Sequence, residues 1–436
     1  MTDTAPLLPL RLAIAGLGTV GAGVIRLLDT NRDLITARAG RGIEVVAVSA
    51  RDRSKDRGVN HERFSWEDDM TALAARDDVD VVVELVGGSD GPALALSRAA
   101  LAGGKGLVTA NKAMIAHHGL ELAEQAEARG LPLKFEAAVA GGIPVVKGLR
   151  EGTSANALTK VYGILNGTCN YILSEMEATG ADFDETLAEA QRLGYAEADP
   201  GFDIEGIDAA HKLAILAAIG FGTRVDFAEV RTTGIVAVRA GDIAQADALG
   251  FVIRLIAEAD TQDGRLLQRV RPCLVAKDHP LATVDGPTNA VVAEGNFSGR
   301  LLFQGAGAGD GPTASAVAAD LIDIARDEVG APFSMPVSQL APLGPSDPAE
   351  RLERTYIRFT VNDRPGVLAE ITAAMRDADV SIESLIQQGR GGSDGEVLVA
   401  MVTHEGPERC VAKALHLLEG SDSLTAAPLV MPILPS

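Results

Sequence analysis

Leu10-Arg11-Leu12-Ala13-Ile14-Ala15-Gly16-Leu17-Gly18-Thr19-Val20-Gly21 decides the fold of the first third of the chain. A short apolar run reads as a strand, GxGxxG closes it, and Val20–Leu28 reads as a helix. In that setting the first glycine makes the turn and the second lets a diphosphate approach the backbone. The third permits close helix–strand packing, and the helix N-terminus offers free N–H groups to an anion. A glycine turn of another α/β domain has the same spelling, but its place between strand and helix selects nucleotide binding. Gly16, Leu17, Gly18, Thr19, Val20 and Gly21 are therefore candidate cofactor contacts.

The alternation continues outward. Ile43–Val48, Asp80–Val86 and Gly106–Thr109 read as buried strands, Pro92–Ala102 and Glu121–Arg129 as helices, and Leu133–Ala138 as extended. Strands alternating with helices of this length indicate βαβ units and a parallel sheet. After the second strand comes Val48-Ser49-Ala50-Arg51-Asp52-Arg53-Ser54-Lys55. Arg51, Arg53 and Lys55 could neutralise a ribose 2′-phosphate, which favours NADP, while Asp52 leaves NAD open.

From Gly141 to Arg300 the pattern is mixed, with a helix at Asp208–Ile219 and strands at Leu266–Val275 and Asn289–Glu294. A second, α+β domain is the simplest account. Gly305–Gly311 is glycine-rich and opens a helix, Ala314–Ala325. Five prolines between Pro332 and Pro348 favour an extended, semi-rigid linker at 331–350 over a packed element. Beyond it, Tyr356–Val361, Val367–Ala378, Ser381–Gln387, Glu396–Thr403, Pro407–Leu418 and Thr425–Ile433 read as βαββαβ, a small ferredoxin-like unit.

Composition agrees with three soluble domains. At roughly 150 residues per domain, 436 residues suggest three, and 47% apolar residues supply their cores. A net charge of −21 repels phosphate backbones and anionic lipid, so no nucleic-acid or membrane partner is expected. Cys169, Cys273 and Cys410 are scattered and odd in number, which fits a reducing cytoplasm. No basic run precedes Leu7–Leu8, which argues against a signal peptide. No apolar run approaches the ~18–20 residues of a membrane helix.

The chemistry concentrates in 194–212, Gly-Tyr-Ala-Glu-Ala-Asp-Pro-Gly-Phe-Asp-Ile-Glu-Gly-Ile-Asp-Ala-Ala-His-Lys. Glu197, Asp199, Asp203, Glu205 and Asp208 can converge on one cation. Asp208 and Lys212 share a helix face, either as an exposed i,i+4 pair or as a lysine buried enough to exchange protons near neutrality. Lys112 follows a strand of the nucleotide unit, at the end where ligands sit, although position alone better describes a surface lysine. Nothing ties a histidine to Cys169, so it reads as a small buried side chain rather than a nucleophile.

Together the motifs resemble homoserine dehydrogenase in its long form, with a C-terminal ACT regulatory domain. The matching stretches are Ala15–Gly21, Thr109–Ala113, Glu136–Pro144, Gly163–Leu173, Gly194–Leu216 and Gln304–Val317, with Asn362–Leu368 similar to the start of an ACT domain. The resemblance implies reversible NAD(P)-dependent interconversion of L-homoserine and L-aspartate 4-semialdehyde, on the route to threonine, methionine and isoleucine. It implies a nucleotide-binding domain at 1–140 completed by 303–330, a substrate-binding and dimerisation domain at 141–302, and an ACT domain at 351–436. It makes Lys212 the proton donor and acceptor and Lys112 a second active-site lysine near cofactor and substrate. Glu197, Asp203, Asp208, Gly167 and Thr168 become substrate-binding residues, and Gly309 a late cofactor contact. It also implies a monovalent cation, sodium, at Glu136, Val139, Gly141 and Ile143. Phe202 departs from members that carry an acid beside the aspartate.

The sequence admits two rival readings. Another amino-acid-pathway dehydrogenase on the same scaffold is opposed by the 194–212 block. A dead amino-acid sensor would have lost Lys112, Glu197, Asp208 and Lys212. The tail is expected to bind a pathway amino acid, threonine, or to serve assembly as a homodimer or homotetramer.

Overall fold

The computed structural model describes residues 7–388 and 396–435. Its first sheet is wholly parallel and contains β1 (Leu10–Ala15), β2 (Ile43–Ser49), β3 (Ser65–Trp66), β4 (Val81–Glu84), β5 (Gly106–Thr109) and β6 (Leu133–Lys134). The order is β3-β2-β1-β4-β5-β6, that of a doubly wound, Rossmann-like domain. β1, β4 and β5 are almost entirely buried, as a sheet covered on both faces requires. One cover is the helix Thr19–Thr30, packed against Asp310–Ala325, which returns from far along the chain. Val24, Ile25, Val317 and Leu321 share that core. The approach is close enough that a Cβ on Gly23 would lie 2.9 Å from the Asp310 carbonyl oxygen.

Two elements differ from their sequence reading. The helix read at Glu121–Arg129 begins at Lys112 and runs to Glu127, because the Asn111 side chain caps it, accepting from the Met114 N–H at 3.1 Å. Leu133–Ala138 is extended only over Leu133–Lys134, then tightens into a 3₁₀ turn at Glu136–Ala138.

The second sheet contains β7 (Leu158–Ile164), β8 (Arg231–Thr232), β9 (Phe251–Gln262), β10 (Arg265–Ala276), β11 (Thr288–Gly295), β12 (Gly299–Ala306) and β13 (Gly344–Pro345). Its order is β12-β11-β7-β9-β10-β13, with β8 also on β10. The helix Ile207–Phe221 packs on it and buries every residue from Asp208 to Ile219.

The proline-rich 331–350 stretch is packed, contrary to the extended linker read from its composition. Phe333, Val337 and Leu340 are buried, the Phe333 ring lies 5.2 Å from that of Phe135, and β13 pairs with β10. Prolines remove backbone donors and so forbid regular structure, but they leave the apolar side chains between them free to find a core. The tail is a four-stranded antiparallel sheet in the order Ile382–Gln388, Glu396–Thr403, Thr355–Asn362, Leu429–Pro432. Helices Val367–Asp377 and Glu408–Leu417 complete the ferredoxin-like βαββαβ unit. Among the described residues no helix is long and apolar enough to cross a membrane.

Candidate active site

A cleft of about 1250 Å³ opens beyond the carboxyl ends of β1, β4 and β5, between the two sheets. Val20, Val86 and Lys112 line it on one side, Asp203, Asp208 and Lys212 on the other. Asp208 stands in the first turn of the helix Ile207–Phe221, and Lys212 stands one turn further on. The carboxylate is 3% exposed; its Oδ1 lies 2.7 Å from Lys112 Nζ and its Oδ2 2.7 Å from Lys212 Nζ. One buried carboxylate thus holds two ammonium groups, and the exposed-pair reading of Asp208 and Lys212 falls away. Lys212 also donates to the Leu165 carbonyl at 2.7 Å. Lys112, first residue of its helix, remains about a third exposed, to the cleft.

The electrostatics follow. Burial alone would raise the Asp208 carboxyl, yet the Lys212 and Lys112 ammoniums hold it far below the usual carboxylate range. Burial, aided by the Lys112 charge, pushes Lys212 down, with Asp208 opposing. For Lys112 burial also pulls down, but Asp208, Asp203 and Glu197 together raise it. Burial and the Asp208 charge raise Asp203.

Asn166 was not singled out from the sequence, yet it joins the two aspartates. Its Nδ2 donates to Asp203 Oδ1 at 2.7 Å and to Asp208 Oδ2 at 2.9 Å, while its Oδ1 caps the next helix by accepting from Cys169 N–H at 2.8 Å. An asparagine just before an apolar helical run was the available signal. Glu84 was also missed: fully buried at the end of β4, it accepts from Thr109 Oγ1 at 2.6 Å and from the Val86 and Gly87 N–H groups. An acid closing the run Val81-Val82-Val83 was its signal.

Among the other expected residues, Thr168 donates to the Tyr195 carbonyl at 2.8 Å and lies 3.2 Å from Asp203 Oδ2. Gly167 is packed so closely that a Cβ would stand 2.7 Å from the Pro287 carbonyl oxygen. Glu197 is exposed on the cleft wall. Cys169 is buried, its thiol pushed well up by burial and then by Asp203, so it is no nucleophile.

The three glycines of the motif meet different steric demands. A Cβ on Gly16 (φ +98°) would meet the Leu85 carbonyl oxygen at 2.6 Å and one on Gly21 would meet that of Gly16 at 2.0 Å, whereas Gly18 faces open space. These features fit a dinucleotide, as does Gly309, which lines the same cleft at the start of the returning helix. Arg51 and Lys55 lie exposed on the loop after β2, outside the cleft lining. Asp52 is committed to Ser54, accepting from its N–H at 2.8 Å and its hydroxyl at 2.7 Å.

Glu136, 2% exposed, accepts from the Val146 and Lys147 N–H groups at 3.0 and 2.8 Å. Burial and Asp320 push its carboxyl up to about 7. Val139 and Ile143 are buried, and Gly141 (φ +56°) follows Ala140 (φ +55°) in a tight left-handed turn.

Comparison with known proteins places the chain. Residues 144–322 match the family model for homoserine dehydrogenase, 16–136 that for its NAD-binding domain, and 355–416 that for the ACT domain. The chain belongs to the homoserine dehydrogenase family. The homoserine dehydrogenase of Pseudomonas aeruginosa is 43% identical over 423 residues, 96% of this chain and 97% of that one. That of Synechocystis is 42% identical over 97% of this chain and 99% of its own. The crystal structure of a homoserine dehydrogenase from Thiobacillus denitrificans superposes with a TM-score of 0.91 at 40% identity, covering 98% and 99%. A hyperthermophilic archaeal homoserine dehydrogenase in complex with NADPH gives 0.62 at 26% identity, covering 73% of this chain and 97% of that one. A homoserine dehydrogenase is an oxidoreductase that interconverts L-homoserine and L-aspartate 4-semialdehyde with a nicotinamide dinucleotide, and this is the reaction of the chain. Alcohol oxidation of this kind needs no side-chain nucleophile, in keeping with the inert Cys169.

Proposed function

We propose that Lys212 is the proton donor and acceptor at the substrate's hydroxyl or carbonyl oxygen. The observation that carries this is a lysine buried at the cleft, lowered by burial, and aimed by Asp208 and the Leu165 carbonyl. A bound nicotinamide cofactor supplies or accepts the hydride. Lys112 keeps its charge and stabilises negative charge developing on the substrate oxygen. Asp208 positions both ammonium groups, Asp203 and Glu197 offer carboxylates to the substrate's ammonium, and Gly167 and Thr168 shape the pocket floor. Replacing Lys212 by methionine and measuring turnover tests the assignment.

Gly16–Gly21, Gly309 and Lys112 would hold the cofactor, with NADP preferred through Arg51 and Lys55. Two observations support the preference: Asp52 is turned into its own loop, and the related archaeal enzyme was solved with NADPH. Absorbance assays with homoserine and NADP or NAD in parallel give the ratio of kcat/KM, which Arg51→Ala should lower. A sodium ion would sit on the Glu136 carboxylate with carbonyls of Val139, Gly141 and Ile143. A buried carboxyl beside Asp320 gains from a cation.

Threonine is the proposed effector of the ACT domain, in keeping with a role on the route to threonine, methionine and isoleucine. Inhibition by threonine, with altered hydrogen exchange in the tail, tests it. β12 ends its sheet with five of its eight residues exposed, which supports a homodimer or homotetramer that covers this edge. Sedimentation at several concentrations decides between them. The free cysteines support a cytoplasmic location.

A further inference from the structure

Beside the two lysines lies an aromatic stack that the reaction as described does not use. His211 precedes Lys212 on the helix Ile207–Phe221 and is 4% exposed. Its ring stacks on Phe227 at 4.2 Å and 5°, and on Phe202 at 5.6 Å and 26°. His117, on the helix Lys112–Glu127, closes the end: its Nε2 lies 3.3 Å from His211 Nε2, and its ring meets Phe227 edge-on at 4.9 Å. Phe202 is the outermost layer, 44% exposed on the cleft wall, with Lys112 Nζ 5.8 Å from its ring centroid.

An exposed phenylalanine beside a carboxylate cluster is not there for core stability. Stacked and edge-on rings attract one another beyond simple area burial, and the layers together join the helix carrying Lys112 to the helix carrying Asp208 and Lys212. We infer that His211 is a positioning residue: the stack Phe227–His211–Phe202, latched by His117, keeps Lys112 on Asp208 and thereby sets the proton affinity of Lys212. Burial, with His117, pushes His211 down to about 4, so its ring is neutral at working pH and one imidazole can donate to the other.

The consequence has a definite sign. The groups facing Lys212 are Asp208 on its own helix, Lys112 from the neighbouring helix, Asp203 from the short helix Gly201–Ile204, and the neutral Cys169 thiol. Lys112 is the one that lowers Lys212. If the stack loosens and Lys112 drifts away, Lys212 rises and fewer molecules carry the free amine needed to oxidise homoserine.

The inference rests on Lys212 as the acid–base group for its kinetic readout, so a second readout is independent of it. With ε-¹³C-lysine, the chain gives only nine lysine signals, and Lys212→Met identifies that of Lys212. His211→Ala and the exposed-site variant Phe202→Ala should raise the Lys212 titration by roughly 0.5–1 unit. The acid limb of kcat/KM for homoserine should move up equally, kcat at neutral pH should fall several-fold, and cofactor KM should stay within twofold. His211→Phe, which keeps the ring, should restore most of both. If the Lys212 titration in folded His211→Ala and Phe202→Ala matches the native protein, the inference is overturned. If His211→Ala does not fold, Phe202→Ala alone decides. Near-normal turnover by Lys212→Met would defeat the acid–base assignment, while the titration would still decide the role of His211.

Discussion

Lys212→Met separates chemistry from architecture in this site. The side chain makes two strong contacts, to the Leu165 carbonyl and to Asp208 Oδ2, each at 2.7 Å. Neither partner is orphaned when the ammonium goes. The Leu165 carbonyl keeps the Asn289 amide at 3.0 Å, and Asp208 keeps Lys112 at 2.7 Å and Asn166 at 2.9 Å. Methionine is of similar length and suits the apolar helix. Removing a buried charge whose counter-charge stays paired should cost less than about 2 kcal/mol, against roughly 3–5 when a charge is left alone. General acid–base catalysis contributes roughly 10²–10⁴-fold, or ~3–5 kcal/mol at the barrier. The expected result is a folded, cofactor-binding protein with kcat down at least about 100-fold. Steady-state absorbance kinetics, cofactor titration by fluorescence and thermal unfolding measure the three quantities. A kcat within threefold of native would remove Lys212 from the mechanism, and loss of folding would refute the claim that Asp208 stays satisfied.

Asp208→Asn should behave oppositely, losing about 3–5 kcal/mol of stability as well as activity, because two ammonium groups then lose the one carboxylate bonded to both; chemical denaturation measures it. Gly21→Ala places a methyl 2.0 Å from the Gly16 carbonyl oxygen, so it should abolish cofactor binding or folding, whereas Gly18→Ala, which meets no protein atom, should fold normally. Glu136 titrates at about 7 when folded and near 4.5 when unfolded, so the folded state binds the extra proton between those values. Stability should therefore fall as pH rises from about 5 to 7, and sodium should reduce the fall if the cation binds there. Melting curves in sodium and in a bulky organic cation test this.

What the sequence disclosed was local, and what it hid was spatial. The strand–glycine–helix stretch at 10–21 and the run to Lys212 are contiguous, so their periodicity and spacing carry the message. The Asp208–Lys112 contact spans almost a hundred positions, and the strand end before Lys112 hints at a ligand site without revealing its partner. The start of its helix was missed because the cap is a single asparagine and His117–His118 interrupts the apolar rhythm. Asn166 reads as an ordinary N-cap until Asp203 and Asp208 are seen to converge on its amide. Phe333 and Val337 vanish among prolines, since composition reports chain stiffness but not which side chains find a core.

The helix Asp310–Ala325 that closes the first sheet imposes an order on synthesis. When Lys134 emerges from the ribosome, every strand of the parallel sheet exists, yet Val24 and Ile25 still lack the cover of Val317 and Leu321. The missing piece is encoded beyond the whole second sheet up to β12. At roughly 5–20 residues per second, the nascent first third waits on the order of ten to forty seconds with an apolar flank open to water. Folding chaperones and proteases therefore meet an unfinished nucleotide domain on every round of translation, and a chain truncated before 310 should never leave that state.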